Sequence, residues 1–239
     1  MSTATLDPPA AEVAPPDTRT AVERLMHIAD ALRPGQRVTV DPVPWEEYEG
    51  LMAARDEAGR HFRLTYDQGR LEIMPTSLAH ELFKKIIALL IEVWVEETGG
   101  DYRPGGEVTV KSKPNKQGFE PDECFYIQNW ERMAGRRELD LAVDPPPDLI
   151  VEAEVSRTAI GRLPVFAALH VPEVWRFDGT NVVVLLLGDD GTYVESAISR
   201  AIPAFPFADA ARFVAMADAS GFVKIRRTFR DWIRSLPSA

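Results

Sequence analysis

The stretch PPPDLIVEAEVS at residues 145–156 decides the fold, because its side chains alternate as they do in a strand. The apolar series is Leu149, Val151, Ala153 and Val155, and the alternating series is Ile150, Glu152, Glu154 and Ser156. Side chains two positions apart share a face of a strand, so one face is wholly apolar. The other face carries two carboxylates about 7 Å apart, at about 3.3 Å of rise per residue.

A second acidic stretch, EPDECFYI at residues 120–127, predicts a short strand that starts at Asp122. This strand can bring a third carboxylate beside Glu152 and Glu154. Three like charges that lie close together among apolar residues repel one another and need a partner. Because a divalent cation would balance them, the pattern favours metal-dependent chemistry.

The composition sets limits on the class of protein. The chain has 239 residues, of which 45% are hydrophobic, and this is enough for one domain with a large core. A net charge of −10 argues against a generally basic nucleic-acid-binding surface. One cysteine, Cys124, excludes an intrachain disulfide framework. With no apolar run of about 20 residues and no signal pattern, we expect a cytoplasmic protein without a membrane span.

The hydrophobic periodicity predicts an α+β fold, with a mixed central sheet flanked by helices. We expect residues 1–19 to be a disordered leader and residues 20–239 to form a single domain with helical extensions at both ends. Helices are predicted at 20–32, 45–54, 77–98, within 158–169, at 209–216 and at 221–236. Strands are predicted at 61–66, 70–74, 107–111, 122–127, 148–156, 173–177, 181–187 and 192–195.

Four stretches together resemble the Uma-type family of restriction endonuclease-like domains, within the PD-(D/E)XK nuclease superfamily. They are YDQGRLEIMPTSLAHE at 66–81, EPDECFYI at 120–127, PPDLIVEAEVS at 146–156 and VPEVWRFDG at 171–179. The resemblance implies a restriction-endonuclease-like core and a Mg²⁺-dependent (or Mn²⁺-dependent) enzyme that hydrolyses DNA.

The resemblance also implies roles for individual residues. Asp122 matches the acid of the Pro-Asp motif, and Glu152 matches the acid of the (D/E)XK motif, so both would be metal ligands. Glu154 stands where the superfamily usually has lysine. It can bind a metal or accept a proton, and Arg162 on the next helix can restore the positive charge without acting as a base. In relatives a glutamate often occupies the position of Thr65.

Several residues have a structural alternative. Glu152 and Glu154 can form a solvated strand face paired with arginine or lysine. For His80 we favour a surface position, and Glu81 is equally an outer carboxylate of the site or a helix-start acid. Cys124 is expected to be a buried inert thiol.

Basic residues between two predicted strands form the best candidate contact with nucleic acid, and they are Lys111, Lys113 and Lys116. Basic clusters bind phosphates but are more often solvated surfaces.

Three functions follow from these patterns. The first is a metal-dependent endonuclease acting on DNA. The second is a catalytically degenerate nuclease-fold protein that binds nucleic acid or a protein partner. The third is an interaction module whose acids are structural. A homodimer is compatible with the first function, because cutting both strands of a duplex takes two centres.

Overall fold

Two sheets and six helices form the described part of the computed structural model, which covers residues 18–153, 161–178, 180–217 and 219–237. Residues 1–17 of the leader predicted for residues 1–19 lie outside the described residues. The helices are α1 (Ala21–Ala31), α2 (Trp45–Glu57), α3 (Leu78–Glu97), α4 (Arg162–Ala168), α5 (Phe207–Val214) and α6 (Phe222–Ser235). The strands are β1 (Val38–Val40), β2 (Phe62–Asp67), β3 (Arg70–Pro75), β4 (Arg103–Pro104), β5 (Val110–Ser112), β6 (Gln117–Phe119), β7 (Glu123–Tyr126), β8 (Leu149–Ala153), β9 (Glu173–Phe177), β10 (Val182–Leu187) and β11 (Tyr193–Ser196).

The first sheet has five antiparallel strands in the order β1-β3-β2-β6-β5. Its central hairpin, β2–β3, turns at Gln68 and Gly69, where both residues have positive φ values of 51° and 99°. Two positive φ angles give a turn whose twist matches that of the flanking strands, and glycine tolerates this geometry at little cost. The apolar face of this sheet packs against α1 and α2 through Leu64, Ile73 and Leu51.

The second sheet has six strands in the order β11-β10-β9-β8-β7-β4. Only the pair β8–β9 is parallel among these strands, and α4 lies in the connection between them. One face of the sheet packs Val151 and Trp175 against α3, α5 and α6. The other face packs Cys124 and Ile150 against α4 and against strands β5 and β6 of the first sheet. The first sheet therefore meets the second on the face that carries Glu152.

The predicted α+β fold with a mixed sheet and flanking helices is confirmed. Where the pattern predicted one central sheet, the described residues form two. The strands that the pattern missed, β1, β4 and β6, have two or three residues each, which is too short for a period of two to be recognised. No helix among the described residues is long and apolar enough to cross a membrane.

Candidate active site

A cavity of about 270 Å³ is bordered by both sheets and by α4. Its polar lining consists of Arg37, His80, Asp122, Glu152, Arg162 and Arg176. Apolar side chains, among them Met74 and Phe166, form the rest of the wall. The cavity thus combines acids, guanidinium groups and an apolar surface.

Strand register in the second sheet explains why two acids meet here. Glu123 lies opposite Val151 in the β7–β8 pair, so one step further along Asp122 lies opposite Glu152. The β8–β9 pair then places Glu152 beside Arg176. Directly opposed residues have Cβ atoms about 5 Å apart on the same face of a sheet. Asp122, Glu152 and Arg176 therefore form a row across the sheet.

The first sheet supplies a second row, which borders the same cavity through Arg37 and Met74. Arg63 lies opposite Met74 in the β2–β3 pair. Val38 lies opposite Ile73 in the β1–β3 pair, so one step further Arg37 lies opposite Met74 on its other side. Arg37, Met74 and Arg63 therefore share one face, the face opposite to the apolar contacts with α1 and α2.

Asp122 is buried, with 1% of its surface exposed, and it is held by three donors. Its carboxylate contacts the guanidinium of Arg63. The backbone amide of Ala153 donates to Oδ2 at 2.6 Å, and Nε2 of His80 lies 2.7 Å from the same oxygen. Because each donor favours the ionised form, this carboxylate is fixed in position and negatively charged.

His80 lies at the start of α3 and is buried, with 9% of its surface exposed, so the predicted surface position is wrong. Ser77 caps this helix by accepting from the amide of His80 at 3.3 Å, which fixes the backbone there. Burial and then the charge of Arg63 lower the pKa of His80 to about 3. Nη2 of Arg63 lies 2.9 Å from both ring nitrogens of His80. A neutral imidazole that donates from Nε2 to Asp122 leaves Nδ1 to accept from Arg63.

Glu152 is 7% exposed and forms an ion pair with Arg162, the first residue of α4. The second guanidinium nitrogen of Arg162 donates to the backbone carbonyl of Glu120 at 2.7 Å. Arg162 thus connects β8 to the segment that leads into Asp122. The structure therefore places Arg162 beside Glu152.

Glu120 does not line the cavity but holds the segment that leads into Asp122. It is 3% exposed and accepts hydrogen bonds from Arg55 at 2.8 Å, from the amide of Leu64 at 3.0 Å and from the hydroxyl of Thr109 at 3.0 Å. These contacts join α2, β2 and the loop before β5. Since Asp122 follows two residues later, Glu120 sets the position of the Pro-Asp segment.

Lys84 is a buried lysine on α3. Only 1% of its surface is exposed, and it pairs with Glu81 at 2.8 Å and also with Glu107. Burial lowers its pKa. Glu81 and Glu107 border a neighbouring cavity that also includes Arg63, so this lysine lies behind the site.

The predicted nucleic-acid contacts lie elsewhere on the surface. Lys111 and Lys113 lie within 3.1 Å and 3.7 Å of Glu49, and the exposed Lys116 occupies the turn between β5 and β6. None of the three lines the cavity. Glu154, predicted as a third site carboxylate, lies outside the described residues.

The donor set of Asp122 and Glu152 fits a hard divalent cation. Both are oxygen ligands that border one cavity, and Mg²⁺ commonly binds one or two carboxylates while water and substrate phosphates complete its shell. Among the described residues, no group of three His, Cys, Asp or Glu side chains is arranged to hold a metal. Each of the two acids is balanced by a guanidinium group in this structure.

Three site residues were not identified as such by sequence reasoning: Arg63, His80 and Arg37. His80 occurs inside the stretch 66–81 of the family resemblance, and that was the signal available for it. Arg63 lies in the predicted strand 61–66, before that stretch begins, so the resemblance does not mark it. Arg37 has no such signal, because it precedes a strand of three residues of intermediate burial.

The sequence and fold of the chain were compared with those of known proteins. No curated protein matches the chain. A solved structure from Anabaena variabilis ATCC 29413, described as a putative nuclease belonging to DUF820, is similar with 14% sequence identity and a TM-score of 0.45. The match covers 79% of this chain and 99% of that one. The Uma2 family, described as "Putative restriction endonuclease", matches residues 45–209, which is more than half of the chain. The chain therefore belongs to the Uma2 family.

Proposed function

We propose that the protein is a Mg²⁺-dependent endonuclease (Mn²⁺ being the alternative ion) that hydrolyses DNA phosphodiester bonds in the cavity bordered by Asp122 and Glu152. Membership of the Uma2 family supports a nuclease function in general. The observation that carries the proposal is the convergence of Asp122 and Glu152, from adjacent strands, on one cavity beside Arg162.

The chain's own residues have distinct tasks in this proposal. Asp122 and Glu152 hold the cation, which when bound acidifies a water molecule and neutralises charge on the phosphate. Arg63 and His80 keep Asp122 oriented. Arg162 donates to phosphate oxygens as negative charge develops, since a guanidinium forms paired hydrogen bonds with phosphate. We retain Glu154 as a third carboxylate that binds metal or accepts the proton of the attacking water.

The ion pair between Glu152 and Arg162 makes cation binding depend on the substrate. In the described structure Glu152 is engaged by Arg162, so cation binding requires that guanidinium to turn elsewhere. A phosphate in the cavity provides that alternative partner. Substrate and cation should therefore bind more tightly together than either does alone.

The test is incubation of purified protein with supercoiled plasmid and Mg²⁺ or Mn²⁺, followed by separation of nicked and linear forms. We expect wild-type cleavage that disappears with EDTA and in Glu152→Gln and Asp122→Asn. Glu195→Gln is the matched control, because Glu195 is an exposed acid on another strand of the same sheet. Equal trace activity in wild type and Glu152→Gln would refute the proposal. Light scattering on the same samples tests the proposed homodimer.

A second candidate is a catalytically degenerate protein that binds nucleic acid or a protein partner through this cavity. It is favoured by the observation that Asp122 and Glu152, the two acids that border the cavity, are each already paired with an arginine. It is distinguished by calorimetric titration with Mn²⁺. A heat signal that is the same in wild type and Glu152→Gln, together with retained DNA binding, would favour this candidate over the enzyme.

A further inference from the structure

Arg37 introduces a positive charge into the cavity that no described acid matches. Two of its guanidinium nitrogens, Nε and Nη1, are buried and have no hydrogen-bond partner among the described residues. Its register opposite Met74 directs it to the cavity that holds Asp122 and Glu152. The residue as a whole is partly buried, but shielding two guanidinium nitrogens from water without a partner is unfavourable, and an anion in the cavity would supply that partner.

The charged groups around Arg37 also favour an anionic ligand. Arg63 and Arg162 are each matched by a carboxylate. Among the described residues, the guanidinium groups of Arg37, Arg162 and Arg176 line the cavity, and that of Arg63 contacts Asp122. In a protein of net charge −10, this concentration of arginine is local to the cavity.

The shape of the cavity limits what the anion can belong to. Its volume of about 270 Å³ is near the lower end of pockets for small ligands, which begin at about 300 Å³. Asp122 and Glu152 are nearly inaccessible from the surface, at 1% and 7% exposed. A single nucleotide of a flexible strand can enter, with its base or sugar against the apolar wall, whereas a duplex can do so only where its strands open locally, as supercoiling of a plasmid favours.

We propose that Arg37 forms a phosphate subsite and that the nucleic-acid strand it binds is unpaired. This inference rests on the proposed nuclease function, whose substrate class it specifies. Arg37 lies outside residues 45–209, the part that matches the family, so the segment that precedes the family match contributes a binding residue to the site.

The test measures binding in EDTA, so that cleavage plays no part. Fluorescence anisotropy compares a short labelled single strand with the duplex of the same sequence. The variants are Arg37→Gln and, as matched control, Arg33→Gln, which removes an exposed arginine from the same segment. We expect Arg37→Gln to weaken single-strand binding by about tenfold. The slope of log K against log salt should fall by about 0.7, as for the loss of one phosphate contact.

Folding is checked by thermal melting. Because Arg37 has no described partner, Arg37→Gln should melt at the same temperature as wild type or higher. Equal effects of Arg37→Gln and Arg33→Gln, or a wild type that binds no oligonucleotide, would overturn the subsite. A duplex bound as tightly as the single strand would overturn the preference for an unpaired strand. If the binding results hold but plasmid and single strands stay uncut, only the nuclease proposal fails.

Discussion

The ion pair between Glu120 and Arg55 should be one of the main sources of stability near the site, and Glu120→Ala tests this. The substitution leaves Arg55, whose side chain is 11% exposed, with only the exposed Asp56 as its carboxylate partner, and breaking a buried pair costs about 3–5 kcal/mol. It also leaves the buried amide of Leu64 without its acceptor, at about 1–3 kcal/mol. We therefore expect a loss of at least about 4 kcal/mol, or about 8–16 °C in melting temperature.

Urea unfolding followed by tryptophan fluorescence provides the measurement, with an unchanged m-value as evidence that the folded state is intact. A double-mutant cycle with Arg55→Met and Glu120→Gln isolates the pair, and we expect a coupling of about 1–3 kcal/mol. Arg60→Met is the matched control, since Arg60 and Asp30 form an exposed pair at 3.1 Å that should contribute less than about 1 kcal/mol. The reasoning is refuted if Glu120→Ala and Arg60→Met have equal effects.

Three further predictions concern packing and burial. Gly118→Ala places a Cβ 2.6 Å from the Tyr48 hydroxyl and should destabilise the protein by about 1–3 kcal/mol; Tyr48→Phe should relieve part of this, and no relief would contradict the reasoning. Glu173 is fully buried and accepts from four donors, so Glu173→Gln should cost about 3 kcal/mol in urea unfolding, and a cost below about 1 kcal/mol would contradict this. Burial raises the pKa of Cys124, so a thiol reagent should modify it only as fast as the protein unfolds, whereas rapid labelling in native buffer would show an accessible thiol.

Local features of the fold were predictable because neighbouring residues determine them. The turn at Gly69 and the start of α3 depend on a few adjacent positions. The turn lies between the predicted strands 61–66 and 70–74, and α3 begins one residue after the predicted start at 77, because Ser77 is its cap. The alternation around Glu152 likewise predicts which side chains of β8 share a face. Pro164 lies in the first turn of α4, as expected for a residue that lacks an amide hydrogen.

The rest of the site depends on register between segments that are far apart in the chain. Asp122 meets Arg63 because β2 and the segment before β7 come together, and no local pattern sets that alignment. Arg37 reaches the cavity only because β1 joins the edge of the first sheet at one particular register. A shift of one residue would turn its side chain to the opposite face. Long-range pairing of this kind cannot be read from periodicity alone.

The two acids of the site differ as probes of function, because they differ in how far they hold the fold together. Asp122 is bound by Arg63, His80 and the amide of Ala153, so replacing it breaks a buried pair and costs about 3–5 kcal/mol. Loss of activity in Asp122→Asn would therefore reflect chemistry and stability together. Glu152 also forms a buried pair, with Arg162, so Glu152→Gln should destabilise the protein too, but by less, because Arg162 keeps an acceptor in the backbone carbonyl of Glu120. If Glu152→Gln melts closer to wild type than Asp122→Asn does, loss of cleavage in Glu152→Gln is the better measure of the chemical role, and equal destabilisation of both would contradict this distinction.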